Sequence, residues 1–579
     1  MTRILKRAAM LLAALFALVS LLPASSVDAR MLSHDSEIYD LIDALYAMEG
    51  LAKANTNRPW TESQARLYLG RIGRESLPEA GRRLYDEAQR LLDSGLRWNF
   101  GNEFGLSVGM DFTNEAYAHS NSGFDTEEEW VRSWPDRKPL IRLYFEASSF
   151  DMFYTSADIL YRFGRASTED HYCMLRDMAT SDGYVGSYYV RGSNAGHVVS
   201  SKYFSDPFRL NFYTNTLNFS FIWPNRAIFS LGGENWNLSF SRDRMKIGDS
   251  HIGSLLVDDH SDYDDYLKLS LYNRYFGYDF ILLFLNTLTS SSEDPVNEAR
   301  MYMIHTLDFR IFDKVSLKLS ENVMYKYNTL SLDFLNPAFF FHNLNNRSLF
   351  NALAYIELNA NIVKGLSVYG QFALDQARAP NEGTSQSSSY GVSGGIEYTA
   401  PLGIGVLESY AEYLMTSPLL YRRDGIDFIK TSRYYHMDSD NGTSGHIPFF
   451  EYIGYRYGGD TSTLKIGTRY IASPWGSLEA YIQLLEHGEM SIFSSHNKDG
   501  LNSEFANIEG STPSGDMITR AMILSLKANG SLERLFAWPG VSAEMEIDWI
   551  HRASYEKASS SYSGYQSDIQ LSIGITLAI

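Results

Sequence analysis

Hydrophobic and polar residues alternate along most of this chain with a period of two. In the last thirteen residues, Ile569, Leu571, Ile573, Ile575, Leu577 and Ile579 are apolar, and Asp568, Gln570, Ser572, Gly574, Thr576 and Ala578 between them are polar or small. Successive side chains of a β-strand point to opposite faces, so such a run has one apolar face and one wetted face. It slightly exceeds the roughly 9–11 residues that cross a bilayer as a tilted strand. The parity recurs upstream. Val315, Leu317 and Leu319 alternate with Ser316, Lys318 and Ser320, and Leu366, Val368, Gly370, Phe372 and Leu374 with Ser367, Tyr369, Gln371, Ala373 and Asp375. Leu478, Ala480, Ile482 and Leu484 alternate with Glu479, Tyr481 and Gln483, and Ala543, Met545, Ile547 and Trp549 with Glu544, Glu546 and Asp548. These runs are longer than the usual soluble strand of about 5–6 residues. They predict an all-β, antiparallel transmembrane barrel. Candidate strands number roughly 18 to 20, and the even count of single-chain barrels settles the expectation at about 18.

Residues 31–96 follow a different period. Ile38, Leu41, Ile42, Leu45 and Tyr46 share one face of a helix that Ser36 can cap and Gly50 can end. Thr61 with Gln64, and Ser76 with Glu79, have capping-box spacing for a second and a third helix, the third stopping at Gly95. Before them, Arg3, Lys6 and Arg7 precede an apolar run from Ala8 to Leu22 and a small-residue exit at Val27-Asp28-Ala29, the layout of a secretory signal peptide. The expected organisation is therefore a signal peptide over 1–29, a periplasmic helical domain over 31–96 that leans on its neighbour, and an outer-membrane barrel over 98–579. That places the protein in the outer membrane of a diderm bacterium, with membrane lipids and the barrel-assembly machinery as partners.

Composition sharpens this picture at three points. Mean hydropathy is −0.23, a soluble-looking value that a barrel reaches because only alternate residues face lipid. Aromatic residues make up 14% of the chain, as interface girdles require. The net charge of −19 lacks the basic footprint of a nucleic-acid binder. The single cysteine, Cys173, excludes a disulfide scaffold.

Long polar connections are expected on the outer side at 165–207, 288–299, 378–388, 417–448, 488–517 and 553–566, with tight turns such as Ser473-Pro474-Trp475-Gly476 in the periplasm. Counting back from the C-terminus puts 417–448 on the wrong side, so either a strand hides near Asp427 to Tyr435 or the strands nearby are miscounted.

Candidate chemistry is sparse. Glu544, Glu546 and Asp548 form a lumen carboxylate row that could attract cations or hydrogen-bond a sugar, or pair with bases such as Lys527. His305 with Asp308, or His342 with a loop serine, lacks any nucleophile motif, so no enzyme is expected. The histidines are scattered without metal-ligand spacing, and no cofactor is expected. Tyr- and Trp-rich loops suit either sugar stacking or an interface girdle.

Three stretches resemble the capsule-assembly Wzi-like family of outer-membrane proteins. They are His34-Asp35-Ser36-Glu37-Ile38-Tyr39 with Arg58-Pro59-Trp60-Thr61; Leu238-Ser239-Phe240-Ser241-Arg242-Asp243-Arg244 followed by Gly248 and Gly253-Ser254-Leu255-Leu256; and His305, Glu321, Leu335-Asn336-Pro337 and His342-Asn343. The sequence departs from the family pattern at Ser241, where Gly is usual, at Met245-Lys246-Ile247-Gly248-Asp249, and at the terminal Ile579. The resemblance implies periplasmic helices before a barrel, a role in anchoring, assembling or exporting surface polysaccharide, and Arg242, Arg244, His305, Glu321, Asn336, His342 and Asn343 as binding residues. The alternative is a porin for small polar solutes. Parity adds one constraint. If Leu238 and Phe240 face lipid, so does Arg242, and an Arg at the midplane costs roughly 2–4 kcal/mol. Arg242 must therefore sit at a strand end.

Overall fold

The computed structural model describes residues 29–579 apart from 101–102, 122, 125–129, 165–175, 178–186, 189–206, 213–222, 286–298, 328–335, 339–349, 377–387, 423–425, 439–442, 491 and 493–511. The expected signal peptide, Cys173, His342 and Asn343 lie outside the described residues.

Eighteen strands form the wall. The first six are β1 (Phe104–His119), β2 (Ile141–Ser149), β3 (Phe153–Tyr161), β4 (Ala227–Gly233), β5 (Trp236–Asp243) and β6 (Asp264–Tyr272). The next six are β7 (Phe276–Leu285), β8 (Ala299–Ile311), β9 (Val315–Tyr327), β10 (Phe350–Val363), β11 (Leu366–Gln376) and β12 (Ser389–Leu402). The last six are β13 (Gly405–Thr416), β14 (Thr461–Ala472), β15 (Gly476–His487), β16 (Met517–Ser531), β17 (Val541–Glu556) and β18 (Ser561–Ala578). Each pairs antiparallel with the next, and β18 returns to β1 from Gln570↔His119 to Ala578↔Asp111, so no edge is left unpaired. Two three-residue strands, Trp98–Phe100 and Phe208–Leu210, extend the ladder of β1.

The period-two pattern maps onto the wall directly. Leu319, Ile356, Leu358, Phe372, Ile396, Ile466, Leu478 and Ile573 are exposed on the outside, whereas Lys318, Glu357, Asn359, Gln371 and Glu397 are buried within. The alternation gives a lipid-facing apolar band. Among the described residues no helix is long and apolar enough to cross a membrane; the apolar band lies on the strands.

Turns at 234–235, 312–314, 364–365 and 473–475 define one rim, and the long connections the other. Two loop expectations need correcting. The stretch 553–566 is mostly strand, because β17 and β18 run to Glu556 and from Ser561, with a bulge between Arg552 and Ser554. A strand does hide near Asp427 to Tyr435, at Ile429–Asp438, but it pairs with Thr443–Tyr452 as a hairpin outside the barrel ladder. β13 therefore pairs with β14 directly, and the connection between them leaves from the long-loop rim at Thr416 and returns to it at Thr461.

The helices are α1 (Glu37–Glu49), α2 (Glu62–Leu69) and α3 (Glu79–Asp93). Ser36 accepts from the Ile38 N–H, and Thr61 from the Gln64 N–H. The third cap differs from expectation. Pro78 occupies the N-cap of α3 without a side-chain bond, and the Ser76 hydroxyl instead bonds Glu49 and the Gly73 carbonyl in a preceding 3-10 turn. Pro at that position already fixes the backbone entry.

These helices seal the short-turn rim. Leu41, Leu45, Trp60, Leu84 and Leu92 share one buried cluster with Val406 and Ile471 of the barrel. The Gly365 N–H donates to the Ala47 carbonyl (2.7 Å) and the Ala52 N–H to the Asp313 carbonyl (3.0 Å). Gly50 joins α1 to this rim at φ +79°, and a Cβ there would lie 3.2 Å from the Lys364 Cγ. Gly50→Ala should cost about 1–2 kcal/mol, because an L-residue is strained in the left-handed region. A denaturant titration of the refolded protein reads this as a lower midpoint.

Beyond Gly50 the chain enters the lumen. Asn57 and Arg58 pair with Ile247 and Lys246, which descend from the β5–β6 connection. Toward the long-loop rim, Leu255, Leu420, Tyr421, Phe428 and Tyr455 from two connections pack against inward-facing Tyr266, Tyr302, Met324, Leu353 and Leu414. On the opposite wall Phe124 packs against Tyr481, Ile523 and Ile550. The interior is thus filled from both rims. A polar cavity of about 350 Å³ persists beside Arg30, Glu146, Asp158 and Arg226.

Candidate functional site

Within the inner half of the lumen, polar groups from the N-terminal segment meet polar groups from the wall. Lys53 Nζ donates to Asp249 Oδ1 (3.0 Å) and Glu397 Oε2 (2.9 Å). Asn57 Nδ2 donates to Asp279 (2.6 Å) and Thr306 (2.8 Å), and Lys318 Nζ donates to Asn57 Oδ1 (2.7 Å). Glu357 accepts from the Thr56 and Tyr355 hydroxyls (both 2.6 Å). Burial disfavours the Lys53 ammonium, but Asp249, Glu397 and further carboxylates outweigh it and hold its pKa well above the usual lysine value. Buried charges need such partners. This network fastens the inner plug to the wall.

The resemblance residues occupy three separate places. Arg242 is the penultimate residue of β5 and faces outward beyond Phe240. Its guanidinium forks onto Asp265 (2.7 and 2.9 Å) and lies over the Tyr263 ring, as the parity argument requires of a strand end. Arg244 turns inward and pairs with Asp136 at 2.9 Å. Burial raises the Asp136 pKa, but Arg244 and Arg132 overcome that and bring it down to about 2.

His305 has outward parity and stands directly opposite Glu321 on the neighbouring strand. The Tyr278 hydroxyl lies 2.9 Å from His305 Nδ1 and donates to the Pro337 carbonyl at 2.5 Å, while Asn336 Oδ1 accepts from the Ala338 N–H. His305, Phe280, Met303 and Val323 are buried although they point away from the lumen. The Asn336-Pro337 turn is therefore pinned against the outer wall, which explains how a His and a Glu are accommodated on a face otherwise turned to lipid.

The lumen carboxylates meet the bases that parity suggested. Lys527 pairs with Glu546 at 2.9 Å. Arg132, from the β1–β2 connection, bonds Glu115, Glu544 and Glu546 at 2.7, 2.8 and 3.3 Å. Asp548 is buried opposite Ser525.

One surface was not singled out from the sequence. Trp549, His551, Tyr565, Tyr562 and Tyr555 form a ladder of rings on the outer face of the β17–β18 hairpin. Ring centroids are 6.0 Å apart for Trp549–His551, 5.8 Å for His551–Tyr565, 6.2 Å for Tyr562–Tyr565 and 4.8 Å for Tyr555–Tyr562. Arg520 lies 3.9 Å over Tyr555 and pairs with Glu486 at 2.7 Å. Outward-facing Leu524 and Leu526 precede that ion pair along the wall, so the pair marks the end of the apolar band. Trp549 lies opposite Leu524, within the band, and His551 opposite Met522. The three tyrosines rise beyond it. Tyr565 is 62% exposed and Tyr562 45%. Flat, half-apolar rings with polar edges, held in sequence outside the membrane, suit the faces of sugar rings.

No family model matches the chain, and a search of curated proteins finds no match. Among solved structures, the chain is similar to Wzi of Escherichia coli, an outer-membrane protein involved in group 1 capsule assembly and described as a carbohydrate-binding β-barrel. The TM-score is 0.55 at 13% identity, covering 95% of this chain and 99% of that one. Pseudomonas aeruginosa OccK11 (OpdR) and OccK8 (OprE) also match, with TM-scores of 0.37 and 0.38, identities of 10% and 9%, and 82% of this chain covered in each case; the matches cover 96% and 98% of those chains. The first likeness confirms, at the level of the fold, the resemblance carried by the motifs. The fold is that of an outer-membrane barrel.

Proposed function

We propose that this chain is a non-enzymatic outer-membrane barrel that helps anchor, assemble or export a surface polysaccharide, with the glycan contacting its outer face. The observation that carries this reading is the filled lumen. A porin needs a continuous wet path, and here the inner half holds a bonded peptide segment and the outer half a packed apolar cluster. The fold shared with a carbohydrate-binding barrel points the same way, and the ring ladder supplies the contact surface. The helices, at the short-turn rim, face the periplasm in this reading. The lumen carboxylates and the Tyr278–His305–Pro337 clamp act as fasteners rather than ligand contacts.

The test is binding of surface polysaccharide from the producing cells to the purified protein, followed by calorimetry. Wild type should bind. Tyr562→Ala and Tyr565→Ala should each weaken binding about tenfold, ~1.4 kcal/mol, without changing heat-modifiable migration on gels. Absence of binding by wild type would refute the proposed function, whereas binding unaffected by both variants would move the glycan site elsewhere.

A further inference from the structure

We propose that His251, Glu397 and Glu408 form a site for a single divalent transition cation of the zinc class, within the lumen. The three come from distant parts of the chain. His251 lies in the β5–β6 connection, Glu397 on β12 and Glu408 on β13, both glutamates facing inward, and one donor atom from each falls within 4.8 Å of the others. His251 Nε2 is 3.1 Å from Glu397 Oε2 and 3.9 Å from Glu408 Oε1. Tetrahedral zinc with bonds near 2.0–2.2 Å separates its ligand atoms by about 3.3 Å, so the donors need only small movements to close on an ion.

Charge gives an independent argument. Lys53 serves Asp249 and Glu397, and Glu412 is held by neutral donors: the Ser250 hydroxyl, the His251 N–H and the Tyr369 hydroxyl. The nearby bases are committed elsewhere, Lys465 to the His251 carbonyl and Arg469 to Asp40. Among the described residues, Glu408 has neither a hydrogen bond to its carboxylate nor a lysine or arginine paired with it, yet it is buried. A buried carboxylate is expected to be paired or to bind a metal. The imidazole donor favours zinc-class ions over magnesium or calcium, which prefer all-oxygen shells. Tyr410 stacks flat on the His251 ring (3.8 Å, 2°) and fixes its plane. Three protein ligands leave a fourth position for water. The ion would clip the descending β5–β6 connection to the wall, closing the plug on the side where Lys53 already holds the N-terminal segment.

The experiment uses full-length protein refolded in chelator and then titrated with Co²⁺ and Zn²⁺. One equivalent of Co²⁺ should give the intense visible bands of a tetrahedral site, and Zn²⁺ should bleach them. His251→Ala and Glu408→Gln should each weaken Zn²⁺ binding by tenfold or more, measured against a chromophoric chelator. The glutamine is nearly isosteric, so it preserves packing if His251→Ala does not assemble. No tetrahedral cobalt spectrum in wild type, or affinity unchanged in Glu408→Gln, would overturn the proposal.

Discussion

In a planar bilayer the refolded full-length protein should insert and pass no stable current. Two seals act in series. At the inner rim, helices α1–α3 and residues 53–58 cover and enter the lumen. At the outer rim, the 417–460 connection packs Leu420, Tyr421, Phe428 and Tyr455 into a cluster with the wall. Deleting residues 31–96 should leave a barrel that still inserts, because all eighteen strands close through their own ladder. That deletion alone should remain silent, since the outer seal is untouched. Combined with short turns replacing 244–263 and 418–459, it should open large ohmic steps, with the 120–140 connection left as a constriction. Large steps from the full-length protein would make a porin the primary reading. Failure of the 31–96 deletion to assemble would place the helices inside the barrel's folding unit.

The wall was legible in the sequence because a barrel strand writes its two faces residue by residue. Leu366 to Leu374 and Ala543 to Trp549 could be assigned outward or inward positions without any partner being known. The connections were harder. Ile429–Asp438 lacks a clean alternation, with Thr431 and Arg433 between Ile429 and Tyr435, and nothing local says that it pairs with its own return segment rather than with the barrel. The site was harder still. His251 lies 146 residues from Glu397, so no spacing motif can announce their meeting. The ladder tyrosines fell in a stretch read as an exposed loop, and only the register of β17 against β18 stacks them.

Several residues of the motifs behind the family resemblance make contacts that dock segments onto the wall. Arg242 holds Asp265; Tyr278, itself bonded to His305, holds Pro337; and Leu255 donates its N–H to Gln371. Arg58 pairs with Asp43 at 2.8 Å and lies 4.4 Å over Tyr39. These contacts specify how segments dock onto the barrel.

Trp60 is the test of that reading with the largest expected stability effect. It is 1% exposed, and its ring meets Tyr39 at 4.8 Å and Tyr68 at 4.9 Å, edge to face in both cases. Its Nε1 donates to the Asn55 carbonyl (2.9 Å), and its backbone N–H donates to the Tyr39 hydroxyl (3.1 Å). It thereby locks the lumen segment to α1 and α2 at the point where the chain leaves the barrel. Trp60→Ala should cost about 3–5 kcal/mol, through lost burial and the cavity left behind. Trp60→Phe keeps most of the apolar volume but removes the indole donor, leaving the Asn55 carbonyl short of a partner at about 1–3 kcal/mol. Because the strands close without Trp60, the loss should fall on the plug. Limited proteolysis should cut within residues 62–96 of Trp60→Ala far faster than in wild type, while the barrel stays heat-modifiable on gels. Equal protection in both proteins would mean that the lumen contacts of Lys53 and Asn57 hold the helices down unaided.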